Sequence, residues 1–132
     1  MTRSAPSASG ALLQIKRPMA DFKRGDVVKV PFPYTDRETR QSRPALVVST
    51  GSLEETHGLL WVVMITSAEN RGWPGDVDVT QLATGGLPFA SVVRTAKFAT
   101  IEATDAIKLG KLTAATLKLV VLKIGEMIGL PA

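Results

Sequence analysis

The 132-residue sequence contains no cysteine and one histidine, His57. The first absence excludes disulfide scaffolds, thiolate zinc sites and cysteine nucleophiles, and the second leaves too few imidazoles for a histidine-rich metal centre. A chain without cysteine fits a reducing compartment, so a cytoplasmic location is expected. No run of about 18 apolar residues occurs, which argues against a membrane span. The longest apolar stretch near the start, "GALL", is too short for the core of a signal peptide. Aromatics make up only 5% of a chain that is 45% apolar. The core must therefore be built mainly from Val, Leu, Ile and Ala, a composition that suits strands.

Acids are missing from the first 18 residues, which carry Arg3, Lys16 and Arg17; without those three the net charge of +4 falls to +1. Global charge is thus a weak argument for a nucleic-acid partner. The same stretch, "MTRSAPSASGALLQIKRP", mixes Ser, Ala, Gly and Pro without period. It reads as a disordered tail or an upstream start over residues 1–20, with Met19 as an alternative initiator. Residues 21–132 are one domain's worth of chain.

From residue 24 the pattern is strand, turn, strand. Strands are expected at "DVVKVPF" (26–32), "ALVVST" (45–50), "GLLWVVMIT" (58–66), "DVDVTQL" (76–82), "ASVVRT" (90–95) and "KFATIE" (97–102). The second and third are nearly continuous apolar runs, as in strands buried on both faces or lining a small barrel. In the fourth, Val77 and Val79 alternate with Asp76, Asp78 and Thr80. Polar "YTDRETRQSRP" (34–44) reads as a long loop of the kind that carries function, and "SAENRGWPG" (67–75) as a turn. After residue 103 the period shifts to 3.6, with Leu117, Val120, Val121, Ile124 and Ile128 on one helical face, Thr113 as N-cap and Gly129 with Pro131 as the stop. Gly125 inside this helix suggests close packing against another backbone, a dimer seam or the barrel wall. Trp61, within an apolar run, is expected in the core, and His57 in a turn.

Three segments carry a resemblance. "KRGDVVKVPFPYTD", "SRPALVVST" and "SVVRTAKFATIE", in this order and spacing and followed by a helix ending in "IGL", together resemble the MazF/PemK family of toxin endoribonucleases of toxin-antitoxin systems. The resemblance covers about residues 23–130. It implies a mainly β fold, a small SH3-like barrel closed by a C-terminal α-helix, usually a homodimer. It further implies cleavage of single-stranded RNA without metal or other cofactor, and neutralisation by a cognate antitoxin protein.

Metal-free RNA cleavage proceeds by attack of the ribose 2′-OH on the adjacent phosphorus, leaving a 2′,3′-cyclic phosphate and a 5′-OH. The crowded, doubly negative phosphorane needs fixed cationic donors, and the planar guanidinium fork meets two phosphate oxygens without losing its charge. By the resemblance the family's functional arginine maps onto Arg43, its hydroxyl onto Thr66 with Ser67 adjacent, and a further arginine onto Arg94. Pro44 stiffens the chain beside Arg43. Tyr34, Thr35 and Asp36 of the first loop and Trp73 of "GWPG" are candidates for contacting RNA, the aromatics by stacking on unpaired bases. The chain departs from the family pattern at Ala96, where some relatives carry an acid, and in lacking a histidine in the first loop. A guanidinium is a poor base at neutral pH, so Asp36, Glu38 or Glu102 would have to accept the 2′-OH proton.

Other readings of the same residues remain open. Arg43 could pair with an acid such as Asp26, a surface ion pair worth about 0–1 kcal/mol; Thr66 could bond its own turn, and Arg94 could be a surface charge. The chain could also be a non-catalytic CcdB-like inhibitor that binds DNA gyrase, although "MIGLPA" has no aromatic near the chain end, or an inactive binding module.

Overall fold

The computed structural model describes residues 20–33 and 40–131. The expected tail, apart from residue 20, lies outside these residues. Strands β1 (Asp26–Pro33), β2 (Arg40–Val47), β3 (Leu59–Ser67), β4 (Asp76–Val79), β5 (Ser91–Glu102) and β6 (Ile107–Lys111) alternate with helices α1 (Gly51–His57), the single turn α2 (Leu82–Gly85) and α3 (Ala114–Met127). These six described strands pair antiparallel in one sheet of order β4-β5-β3-β2-β1-β6. The fold is mainly β with a C-terminal helix, as expected. The barrel description is approximate: among the described residues β4 and β6 are edges that do not pair with each other, so the sheet they form is not closed.

Both faces of the sheet are buried, which is why the end of β2 from Ala45 and most of β3 read as nearly continuous apolar runs. Val28, Val30, Phe32, Ala45, Val47, Leu60, Val62 and Met64 pack on one face. Val27, Leu46, Val63, Ile65, Val77 and Val93 pack on the other, beneath the fully buried Val120 of α3 and its neighbours Leu117 and Ile124. Thr113 caps α3 as expected, its hydroxyl accepting from the Thr116 amide at 3.2 Å. Gly129 follows the helix with a φ of 82°.

Several boundaries differ from expectation for identifiable reasons. Arg40 to Pro44, expected in a loop, extend β2, because β1 supplies partners as far out as Pro33. The two late strands are one 12-residue strand, β5, interrupted by an irregularity: Val63 pairs with Phe98 while Met64 pairs with Arg94, leaving Thr95, Ala96 and Lys97 as extra residues. Such a bulge bends the strand and re-aims its side chains. Residues 51–57 form α1, not a turn, and Glu54 ties it down by accepting from the amides of Asp21 and Phe22, both at 3.0 Å. His57 is its last residue, ahead of a left-handed Gly58. Trp61 points outward, 46% exposed, in edge contact with Phe98 at 5.8 Å. At Gly125 a Cβ would meet the Leu130 Cβ at an ordinary 3.8 Å, so among the described residues no neighbouring backbone crowds it.

The close backbone approach lies elsewhere. Gly86 has a φ of 69°, and a Cβ there would run into the Leu109 carbonyl; a Cβ on Gly110 would collide with the Thr84 carbonyl oxygen and the Gly85 backbone. This contact seats α2 on the edge strand β6. Gly110→Ala is expected to destabilise the fold by about 1–3 kcal/mol through overpacking, read as a lower urea midpoint at unchanged slope.

Candidate functional site

The strand registers bring three of the sequence-predicted residues, Arg43, Thr66 and Arg94, to one sheet face. The pairing of β2 with β3 ends at Ala45 and Met64; extended by two residues, this register would set Arg43 opposite Thr66. On β5, Val92 pairs with Thr66 and Arg94 with Met64. Paired residues share a sheet face and side chains alternate, so Arg43, Thr66 and Arg94 lie on one face, beyond the edge of the cluster formed by Ala45, Val62 and Met64. Arg43 is half-buried and pairs in register with Val30 of β1. Thr66 is buried, and its Oγ1 accepts a hydrogen bond from Asn70 Nδ2 at 3.0 Å.

Arg94 is neither an exposed surface charge nor an open cation. Asp76 stands directly across from it on β4. Its carboxylate accepts from Arg94 Nε at 3.2 Å and Nη2 at 2.9 Å, and the two side chains are only 8% and 9% exposed. Nη2 also donates to the Asn70 carbonyl, and the Trp73 ring lies over the guanidinium carbon at 4.3 Å. The Gly72 and Trp73 amides donate to Asp76 Oδ2 at 3.3 and 3.2 Å. Burial alone would raise the Asp76 pKa; the Arg94 hydrogen bonds, then the Trp73 amide, the Arg94 charge and the Gly72 amide outweigh it and hold the carboxyl below its ordinary value.

The other predicted residues divide into three groups. Ser67 ends β3 half-buried and caps the following turn, its hydroxyl accepting from the Glu69 amide at 3.2 Å. Trp73 stays 44% exposed above Arg94, with Lys97 Nζ 5.5 Å from its ring centre. Glu102 is not brought to this rim: it pairs with Leu59, seven residues from Thr66 along β3, roughly 23 Å away at 3.3 Å per residue. Tyr34, Thr35, Asp36 and Glu38 lie outside the described residues. Asp26, the alternative partner for Arg43, accepts from the Lys23 amide and pairs with Lys108 at 3.5 Å, at the far end of β1. Sequence reasoning missed Asn70 and Asp76. The alternation in "DVDV" put Asp76 on the polar face, but only the register between β4 and β5 shows what it meets.

The sequence profile of the PemK-like, MazF-like toxins of type II toxin-antitoxin systems matches residues 23–128. This chain belongs to that family. Among solved structures, MazF from Deinococcus radiodurans is similar with 25% identity and a TM-score of 0.68, covering 82% of this chain and 96% of that one. An endoribonuclease in complex with its cognate antitoxin from a mycobacterial species shares the fold at 21% identity and a TM-score of 0.66, covering 86% and 99%. The Mycobacterium tuberculosis toxin MazF-mt6 does so at 24% and 0.63, covering 80% and 99%. None of the curated proteins matches the chain in sequence.

A groove of about 910 Å³ opens on the α3 side of this family fold, between the end of α3, α1 and strands β3 and β5. Trp61, Phe98, Met127, Ile128 and Leu130 line it, each 44–68% exposed. Arg24 and His57 are, among the described residues, its only titratable lining groups, and no acid among them lines it. Among the described residues no three His, Asp or Glu side chains gather into a set that could hold a metal ion, and no helix is long and apolar enough to cross a membrane.

The depressed Asp76 pKa has a definite sign. The ionised carboxylate is favoured in the folded chain, so this stabilisation is complete above the ordinary value of 3.8 and is lost as pH falls through the lower folded value. Nearby charges are Arg94, Lys97 and the exposed Arg71–Asp78 pair at 3.7 Å. Urea midpoints measured from pH 6 down to about pH 3 should fall more steeply in wild type than in Asp76→Asn. At neutral pH that variant, which leaves the guanidinium buried without a counter-charge, should be less stable by about 3–5 kcal/mol.

Proposed function

We propose that this chain is the toxin of a toxin-antitoxin pair, a sequence-selective endoribonuclease that cuts single-stranded RNA without metal in the cytoplasm. What carries the reading is the placement of Arg43 and Thr66 on one sheet face, near each other when the β2–β3 register is extended by two residues, with Arg94 two residues behind Thr66 on the same face. A half-buried arginine fork on a paired strand and a fixed hydroxyl make a rigid pair of donors for the non-bridging oxygens of a phosphodiester. Family membership and the fold shared with solved endoribonucleases support the same activity.

In the proposed reaction the ribose 2′-oxygen bonds to phosphorus and the bond from phosphorus to the 5′-oxygen breaks. Arg43 neutralises charge on the phosphorane and Thr66 donates to one of its oxygens. The 2′-OH proton passes to a carboxylate, for which Asp36 and Glu38 are the candidates. They are joined to the ends of β1 and β2, which lie at this rim. A proton is returned to the leaving 5′-oxygen. Trp73, Ser67 and residues 34–36 are proposed to contact the RNA, with the exposed face of Trp73 stacking on an unpaired base.

Two protein partners follow from the same reading. A second copy of the chain is proposed to cover the apolar groove, along which five large apolar side chains stand exposed side by side. A cognate antitoxin is proposed to compete with RNA at Arg43 through an acidic, apolar segment.

RNA incubated with the protein in EDTA should be cut at a recurring short sequence, with 2′,3′-cyclic phosphate and 5′-OH ends. Arg43→Ala should slow cleavage by about 10²–10³-fold, the usual loss for one preorganised donor; no cleavage by folded, antitoxin-free wild type would overturn the reading. Light scattering should give twice the chain mass for wild type at micromolar concentration and the single mass for Ile128→Asp. A monomeric wild type would remove the second copy from the groove.

A further inference from the structure

The loop between β3 and β4, residues 68–75, is tied to the site by a chain of contacts that starts at a residue outside the predicted machinery. Asp76 Oδ2 accepts from the amides of Gly72 and Trp73, and the Asp76 amide donates back to the Trp73 carbonyl at 3.0 Å. The same carboxylate holds Arg94 through two bonds. Arg94 in turn donates to the Asn70 carbonyl and lies under the Trp73 ring. Asn70, its backbone fixed in this way, presents its side-chain amide to the Thr66 hydroxyl.

The direction of that last bond matters chemically. A hydroxyl has one proton to give and two lone pairs to accept with. In this arrangement Asn70 Nδ2 donates to one lone pair of Thr66 Oγ1, which leaves the hydroxyl proton available for an arriving acceptor such as a phosphate oxygen. Without Asn70 the buried hydroxyl would be free to turn its proton towards a backbone carbonyl of its own strand or turn.

We propose that Asp76 is a positioning residue for the ribonuclease site: through Arg94 it fixes Asn70, and Asn70 orients the Thr66 hydroxyl as a donor. This rests on the ribonuclease reading for its chemistry but not for its geometry. Arg94 then serves the site mainly as the link between Asp76 and the loop, and Trp73 is held with one face covered and the other open.

The test uses a Trp61→Phe background, in which Trp73 is the single tryptophan, and compares the parent with Asp76→Asn, Asn70→Ala and the double variant. Asp76→Asn should at least double the acrylamide quenching constant of Trp73 while far-ultraviolet circular dichroism stays unchanged. Under single-turnover conditions in EDTA, well below the unfolding midpoint of each variant, either substitution should slow RNA cleavage by about 10- to 100-fold through misplacement of a donor. The double variant should be no slower than the slower single variant, within about twofold, because coupled residues are not additive. Parent-like quenching and cleavage in Asp76→Asn, or rate losses that multiply in the double variant, would overturn the proposal. If Asp76→Asn does not fold, Asn70→Ala decides alone: a parent-like rate would break the link to Thr66. A parent that leaves RNA intact would remove the ribonuclease reading only, and the quenching comparison would then decide whether Asp76 anchors the loop.

Discussion

Taking a carboxylate and a guanidinium out of water costs several kcal/mol per ion, and such a pair persists only where the remaining donors and acceptors are also satisfied. Asp76 and Arg94 meet that condition at a sheet edge, where it is hardest to meet. The carboxylate accepts from two nitrogens of Arg94 and from two loop amides, and the guanidinium adds the Asn70 carbonyl and the Trp73 face. The interaction depends on β4 pairing with β5 in a single register. A slip by one residue would turn Asp76 onto the apolar face occupied by Val77 and Val93. The pair therefore specifies the edge-strand register and the path of the loop that precedes it together.

The bulge in β5 prepares this arrangement. Without the extra residues Thr95, Ala96 and Lys97, continuing the register from Val63 and Phe98 would put Lys97 opposite Met64 and Arg94 opposite Ser67, at the last residue of β3 and on the other sheet face. The irregularity shifts Arg94 inward to face Met64, two residues from Thr66 in register and on the same sheet face, and turns Thr95 to bond the Gly75 carbonyl at 2.8 Å, which secures the far end of the same loop. Strand pairing on either side of the bulge keeps both apolar faces filled, so the rim is altered without opening the core.

Much of the fold was legible because strand and helix periods differ. The runs in β1 and β3, the alternation in β4, and the capped amphipathic pattern of α3 all appear in the structure near their expected places. What the local pattern could not supply was pairing. Arg40 to Arg43 look like loop by composition and are strand because β1 faces them, and the exposed β6, with its two lysines, has too little apolar pattern to be read as a strand. Trp61 was misplaced because residues 58–66 are apolar almost throughout, so composition alone does not show which of them lies beyond the cover of α3. At the site, Arg43, Thr66 and Arg94 were reachable through the resemblance. Asp76 and Asn70 were not, since each matters through a partner about 20 or fewer residues away in sequence that only the register and the loop path bring near.

The two arginines illustrate how burial divides roles between identical side chains. A cation that is to bind and release a phosphodiester must exchange protein and solvent contacts for phosphate oxygens at small cost, which a half-buried side chain beyond the last pair between β2 and β3 would allow. Arg43 is of this kind, and Pro44, set in register against Lys29, restricts the backbone beside it. Arg94 has a bidentate carboxylate, a carbonyl and an aromatic face already in place. An incoming phosphate would have to displace Asp76 and leave that carboxylate buried without its cation, an exchange that breaking of buried pairs makes unfavourable. Under the proposed reaction, the fixed pair supplies rigidity and the half-buried arginine supplies the charge. This division meets the requirement that donors to a phosphorane be in place before the charge develops.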